Sequence, residues 1–528
     1  MSTTSVTVAD NFTPPATSQN HNLPVLTEAE GDHESPPEEE NDFQLIDSFE
    51  KKTGYLLCLS YFFTTWSVRA DEWATAIFLA YIFPDTLLQV SLYTLVVTAS
   101  AIIFSSSIGR RVDTARRLVG IRAFLITQKL SIALTALTLY ATSEYLIVRV
   151  AWTYVGFAAV CVLGCALRLA NVGTTIAVER DWVVVLARGK SGVLTSLNSH
   201  LRRIDLLCKL LAPLVVSAIN IKASTPTVML VVAAMSIATI PVEWIFITAV
   251  YNRVPALAVA KSPRAAEDIH IGETSPGDTS PPTLPEATPM SPTPPPHRTR
   301  FHNFRTSMHT FTHDPTFLTS LSLAQLYFTV LSLNPVMITY LLSQSFTQPF
   351  LALIRLLAVL SGLSATFAIK PMVVHLGLVR TGLWSVWSEC ACVAVAVGSF
   401  GVGGERRVVS AGMLLGGTVA SRFGLWGFDL AQMQILQECV PPATLGLISG
   451  HQTSLQNTFD LLASLATIVF SRPEQFYIPA IMTFVAVLSA SLTFSLYARR
   501  NRGHLFHVEK WVRVGGKGGW GWGWGRQR

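Results

Sequence analysis

Spans of about 20 predominantly apolar residues recur along this chain, the length an α-helix needs to cross a ~30 Å hydrocarbon core. They fall at about 55–83, 89–109, 118–142, 148–176, 194–219, 226–250, 316–343, 348–371, 376–400, 407–434, 446–470 and 477–499. The pattern predicts twelve membrane-crossing helices, of which the fifth and eleventh begin on polar residues. Three polar stretches lie outside them. Residues 1–50 are rich in Ser, Thr, Pro and acid, with Glu38, Glu39 and Glu40 in a row and no apolar core of a signal peptide. Residues 252–313 carry Ser-Pro or Thr-Pro at Ser262, Ser275, Ser280, Thr288, Ser291 and Thr293. Residues 503–528 alternate glycine with Trp520, Trp522 and Trp524.

The expected organisation is an all-α polytopic membrane protein made of two six-helix bundles. An acidic tail (1–50) precedes the first bundle (51–251). A Pro/Ser/Thr-rich linker (252–313) leads to the second bundle (314–502) and a Gly/Trp-rich tail (503–528). Stretches of that composition bury too little apolar surface to order themselves, so tails and linker are expected to be disordered. Composition agrees with a membrane class. Half of the 528 residues are hydrophobic and 14% are charged, against about 25% charged in soluble domains. The seven cysteines show no disulfide or zinc spacing and read as small apolar residues.

Basic residues set the orientation. Arg110, Arg111, Arg116 and Arg117 follow the second span, Arg188 and Lys190 the fourth, and Arg499, Arg500 and Arg502 the last. All fall on one side, so both termini and the linker are expected in the cytosol. Glu179, Arg180 and Asp181 are read as part of the loop after the fourth span. No phosphate-cradling glycine loop, Gly-x-Ser-x-Gly or His-rich hydrolase motif occurs, which argues against an enzyme or an ATP-driven pump. Nothing points to nucleic acid.

Charge inside the spans carries the functional signal. Arg69, Asp71 and Glu72 interrupt the first, and Arg202, Arg203 and Asp205 the fifth. Each such residue costs roughly 2.5–3.5 kcal/mol at the centre of a membrane helix, so it faces a water-filled path, a partner or a substrate. A carrier of something polar follows. Two six-helix halves joined by a long polar loop is the layout of the major facilitator fold, with its site between the halves near the midplane. Gly109 and Asp113 lie in the loop after the second span. There Asp113 can accept hydrogen bonds from arginines and helix N-termini of the other half, latching one conformation. His297, His302, His309 and His313, irregularly spaced in or beside the linker, read as solvated.

Several segments together resemble the ferroportin family, solute carrier family 40, as a divergent fungal- or plant-like member. They are Glu179-Arg180-Asp181-Trp182, Leu201-Arg202-Arg203-Ile204-Asp205, Pro255-Ala256-Leu257, Gly377-Leu378-Val379-Arg380-Thr381-Gly382, Arg422 to Leu430 and Gln434 to Glu438, in family order. The resemblance implies secondary export of Fe(II), with Co, Ni or Mn as further cargo, by alternating access. Fe(II) is then the substrate, and no cofactor is bound permanently. Arg117, Asp181, Arg202, Arg203 and Asp205 match the network that closes the cytosolic side. The helix-one motif Trp-Gly-Asp-Arg-Met-Trp reads Trp66-Ser67-Val68-Arg69-Ala70-Asp71-Glu72-Trp73 here, and the helix-eleven histidine falls on Ala463. The helix-seven Asp-Cys pair falls on Asn334-Pro335, so control by hepcidin is not expected.

Glu72, Asp71, Asn334 and Asp460 are the candidate metal ligands. Oxygen donors suit a weak, partly hydrated divalent ion, and Pro335 frees backbone carbonyls beside Asn334. Each has a plainer reading: Arg69 and Asp71 neutralise one another, and Asn334 caps a half-helix. Lys129, Arg168, Glu243 and Glu389 read as structural. A monomer in the plasma or vacuolar membrane is expected. Two other functions stay open, a carrier for a small organic molecule and a non-transporting sensor on the same fold.

Overall fold

The structure, a computed structural model, describes residues 37–84, 88–146, 150–259, 300–333, 335–402, 407–470 and 472–502. The chain divides after Phe49 into two units, and apart from the start of α1 everything below concerns 50–528. Helix α1 runs Pro37–Ile82, α2 Leu88–Thr114 and α3 Arg117–Ala141. Helix α4 is Val150–Thr175, prolonged by a π-helical turn Ile176–Trp182 and by α5, Val183–Ala187. Then come α6 Ser191–Lys222 and α7 Thr225–Arg253. A helix outside the spans, α8, covers Arg300–His313. The second half holds α9 Phe317–Leu326, α10 Pro335–Ser343, α11 Gln348–Leu376, α12 Leu378–Gly398, α13 Arg407–Cys439, α14 Leu445–Val469 and α15 Tyr477–Arg502.

Among the described residues nine helices are long and apolar enough to span a bilayer. The charge-bearing α1, the broken pair α9–α10 and the polar-starting α14 complete the twelve crossings that the apolar runs predict. Many large apolar side chains on these helices are exposed, among them Ile103, Trp152, Val162, Leu214, Trp384 and Ile468, as a lipid-facing surface requires. Each half has its own apolar core. Phe78, Leu79, Ile132 and Met229 pack in the first half, and Leu331, Val386, Phe428 and Phe494 in the second.

Four sequence expectations need correction. The second span does not end at Gly109: α2 stays helical to Thr114, and only Ala115 and Arg116 turn, with Arg116 extended at φ −61, ψ 126. Glu179, Arg180 and Asp181 are not in a loop. The π-helical turn adds a residue to the fourth helix, which carries them into the bundle before Arg188, in the left-handed region at φ 47, ends it. The linker ends are ordered, because 252–257 continues α7 into a short 3₁₀ turn and Phe311 of α8 has an apolar seat; residues 260–299 lie outside the described residues. The tail's last residues, from Pro37, belong to α1, whereas 1–36 and 503–528 lie outside the description.

Helix seven is broken over 327–333. Pro335 has no N–H and disfavours helix at the preceding residue, and the freed backbone finds partners. Val330 N–H donates to Thr483 Oγ1 at 2.9 Å, and Arg422 Nη2 donates to Leu331 O at 3.0 Å. Lys129 and Glu243 are fully buried inside the first half as an ion pair 2.5 Å long, with Ser67 Oγ and Thr64 Oγ1 completing it. An ion pair removed from water needs such added hydrogen bonds to balance its desolvation.

Candidate functional site: a charged cavity between the halves

A cavity of about 290 Å³ lies between the halves, walled by α1, α4 and its π-helical turn, α6, the break at Tyr327, α13 and α14. Its depth follows from helix geometry. The basic turns at 115–116 and 188–190, together with the turn at 440–444 between α13 and α14, mark one end of the bundle, here the basic end. Arg202 and Asp205 lie 11 and 14 residues after Ser191, or about 16–21 Å along α6 at 1.5 Å per residue. That is close to the middle of a ~30 Å core.

Four arginines (Arg69, Arg168, Arg180, Arg202) and four acids (Glu179, Asp205, Asp429, Asp460) line the cavity, so it is formally neutral. Glu179, Asp205 and Asp429 are engaged. Arg69 donates to Asp205 Oδ1 through Nη2 at 2.6 Å and Nε at 3.1 Å, and to Glu72 Oε2 through Nη1 at 2.8 Å. Arg202 lies 3.5 Å from Asp205 Oδ2 in its own half and 2.5 Å from Asp429 Oδ2 in the other. Its guanidinium also sits over the Trp426 ring, 5.1 Å from the centroid. Tyr61 donates to Glu179 Oε1 at 2.6 Å. Arg168 donates to Asn457 Oδ1 across the halves at 2.9 Å. Arg202 thus bridges the two halves, a charge-assisted contact that breaks if they separate.

The basic end is sealed. Asp113 accepts from the first backbone N–H groups of α14, Gly446 at 2.9 Å and Leu447 at 2.7 Å. A carboxylate there meets both the unpaired donors and the positive end of the helix dipole. Beside it Gly109 and Gly446 bring the backbones of α2 and α14 into contact: a Cβ on Gly109 would stand 2.0 Å from Gly446 O. A polar seam continues the seal. Asn198 donates to Gln437 at 2.6 Å, Thr195 to Gln434 at 2.8 Å and Ser191 to Glu438 at 2.8 Å, and Gln437 donates to Glu179 O. Arg203 crosses at another point, to Thr366 Oγ1 at 3.0 Å and Thr366 O at 2.9 Å, with its guanidinium over Phe367.

Asp113→Ala should loosen this seal. Loss of a capping side chain costs about 0.5–2 kcal/mol, so the sealed population should fall roughly 2- to 30-fold relative to the open one. Modification of a cysteine placed at Asn198 by a membrane-impermeant thiol reagent, applied from the basic side, would report it as a faster rate.

The sequence-derived candidates do not form one constellation. Arg202 and Asp205 are in the cavity and Arg203 on the α6–α11 contact. Arg117 and Asp181 pair with each other at 2.8 Å near the basic end of the first half, where Arg117 also donates to Val259 O at 2.8 Å. Five gate residues therefore divide into groups at different depths, because Asp181 sits at the end of the fourth helix and Arg202 three turns into α6. Asp460 lines the cavity. Asp71 does not: it is buried within the first half, 3.3 Å from Thr75 Oγ1. Arg69 turns to Asp205 and Glu72 instead of neutralising Asp71. Glu72 is half-exposed, one turn beyond Arg69 away from the basic end, and is not in the cavity wall. Asn334 lies outside the described residues. Among those residues no three His, Cys, Asp or Glu side chains converge as a ready metal site.

Arg168, assigned a structural role from sequence, is a cavity residue, and Asp429, Asn457 and Tyr327 carry no role in the sequence reading. Asp429 had the same signal as Arg69, a charge inside an apolar span. Tyr327 and Asn457 had none, since neither residue type is unusual where it stands.

A profile of the family described as Ferroportin1 (FPN1) matches residues 51–487. The chain is 33% identical over 476 residues to solute carrier family 40 member 2 of Arabidopsis thaliana, covering 86% of this chain and 91% of that one. It is 27% identical to ferroportin of Mus musculus, covering 86% and 92%. Among solved structures, a bacterial homologue of the iron transporter ferroportin in an outward-facing state with soaked iron superimposes with a TM-score of 0.70 at 22% identity, covering 84% of this chain and 99% of that one. The inward-facing state of a bacterial homologue gives 0.56 at 21% identity, with 84% and 98% covered.

Proposed function

This chain belongs to the ferroportin family, and from that membership and its central cavity we infer that it exports iron from the cytosol by alternating access. The observation that carries the mechanism is the Arg202 bridge, with Asp205 of one half and Asp429 of the other held by a single guanidinium at mid-membrane depth.

In the sealed conformation Arg69 and Arg202 occupy Asp205 and Asp429. Opening the basic end draws the second half away and parts Arg202 from Asp429. Asp429, with Asp460 and the amide oxygens of α14, is then available to a partly hydrated Fe(II), which an all-oxygen set holds weakly enough to release. Closing re-forms the bridge, and the guanidinium competes the ion off toward the side opposite the seal. An ion shifts such an equilibrium only by binding one state better than the other, and exchange between arginine and metal supplies that difference. Glu72, one turn beyond Arg69, serves as a later contact on the exit path, and Asn334, beside the broken helix, as a carbonyl donor.

The positive-inside distribution supports cytosolic termini and basic end. The remaining readings are a monomer, in the plasma or vacuolar membrane, with Fe(II) as cargo rather than resident cofactor and without catalytic activity. Hepcidin insensitivity rests on Pro335, which opens α10 where the family has its cysteine.

The test is flux of radioactive Fe(II), Co(II) and Mn(II) in vesicles reconstituted with the full chain. Saturable, protein-dependent movement of Fe(II) is expected. Flux of none of the three would reject the exporter reading and leave the organic-carrier and sensor alternatives.

A further inference from the structure

Helix α8 has two unlike faces. Ser307 and Phe311 are 5% and 3% exposed, and Phe311 packs among Leu436, Val440, Leu445 and Ile448, where α13 ends and α14 begins. His309 and His313 project to solvent from the other face. They are one helical turn apart, the spacing that brings two side chains together. Their imidazoles lie parallel, with centroids 3.9 Å apart and planes 17° from each other.

We propose that His309 and His313 form a surface chelate for a divalent transition-metal ion at the basic end, separate from the central cavity. Two donor nitrogens at about 2.0–2.1 Å from a tetrahedral metal stand roughly 3.4 Å from each other, a separation that rings with centroids 3.9 Å apart reach by rotating their exposed side chains toward a shared ion. The tautomer also fits. His313 Nδ1 lies 3.0 Å from His309 O. A carbonyl only accepts, so Nδ1 carries the proton and Nε2 keeps its lone pair. A ligating histidine whose other nitrogen donates to a backbone carbonyl is the usual arrangement around a metal. Imidazole pairs take Zn(II), Cu(II), Ni(II), Co(II) and Fe(II) alike, so selectivity at this site is low. Asp314 is not a third ligand of choice, since its Oδ1 already accepts from Thr316 N and Oγ1 at 2.8 and 2.5 Å; water completes the shell.

The opposite face of α8 gives the site a target. Ser307 Oγ lies 2.6 Å from His451 Nε2, and the Phe311 and His451 rings stack at 5.3 Å. His451 is one turn beyond the Gly446 and Leu447 amides that Asp113 holds. An ion bridging His309 and His313 stiffens the last turn of the helix that braces the seal.

The experiment uses the full chain in detergent and Co(II) as the probe, with binding counted by equilibrium dialysis of the radioactive ion. The wild type should show a Co(II) site that the double variant His309→Ala/His313→Ala lacks, with each single variant at least tenfold weaker. Asp429→Asn should retain that site, which separates failure here from failure of the exporter reading. Zn(II) should slow carbethoxylation of His309 and His313, read by peptide mass spectrometry. Equal Co(II) stoichiometry and affinity in wild type and double variant, or modification of the pair unaffected by Zn(II), would overturn the proposal. Because both side chains are on the solvent face, the double variant is expected to keep the elution profile and thermal midpoint of the wild type.

Discussion

Asp429→Asn should reduce Fe(II) export at least tenfold while the protein still folds and reaches the membrane. The amide keeps the size of the side chain, but the charge that pairs with Arg202 is lost. Two consequences follow from the geometry. The bridge from Arg202, 2.5 Å long and linking the halves, loses its ionic part, and charge-assisted bonds are about twice as strong as neutral ones. The cavity also loses a carboxylate on the second half. The companion double variant Arg202→Gln/Asp429→Asn decides between the two. If Asp429 only neutralises Arg202, removing both charges should restore flux, as replacing a buried ion pair by neutral groups is often tolerated. If Asp429 also meets the ion, the double variant stays as slow as the single. Measured export near wild type in Asp429→Asn would remove the bridge from the mechanism altogether.

Much of this arrangement is legible in the sequence because membranes simplify the physics. Apolar length alone gives twelve crossings, and the basic turns give one end of the bundle a common sign. The cost of intramembrane charge identifies Arg69, Arg202 and Asp205 before any contact is known. Which partner each charge finds is not legible. Arg69 has Asp71 two residues away, yet two residues along a helix point apart by about 200°, and the guanidinium reaches Glu72 at i+3 and Asp205 on another helix. Asp71, on the far side, is buried inside the first half. The π-helical turn at Ile176–Trp182 is equally silent in composition. It turns Glu179 toward Tyr61 and the cavity and Asp181 toward Arg117, so a segment read as one loop serves two sites. Asp113 is the converse case. A lone acid among arginines suggests a helix N-terminus of the other half, and the N–H groups of Gly446 and Leu447 are its partners. The linker misleads in a different way. Its Pro/Ser/Thr composition describes its middle, whereas α8 at its end is short and polar by sequence and acquires order from the apolar seat of Phe311.

Gly109→Ala should prevent the basic end from sealing in the form described. The added methyl would stand 2.0 Å from Gly446 O and 2.7 Å from Gly446 C, both backbone atoms, so no rotamer change relieves it and α2 must part from α14. Gly446 and Gly450 offer no compensation, since a Cβ on either would itself meet the α2 backbone at 2.5 Å. Parting the helices lengthens the Asp113 hydrogen bonds and opens the seam through Asn198 and Gln437. A carrier that cannot close one side still binds its ion there but completes no cycle. Export should therefore fall more than tenfold, while a cysteine introduced at Asn198 becomes reactive from the basic side at least as fast as in Asp113→Ala, where the contact itself survives. The control is Gly412→Ala on α13, where a Cβ meets nothing within 4 Å and where Ala also favours the helix by roughly 1 kcal/mol over Gly. That variant should transport normally. Equal export by Gly109→Ala and Gly412→Ala would mean that the α2–α14 contact is not the gate, and the seal would then have to rest on the Asn198–Gln437 seam.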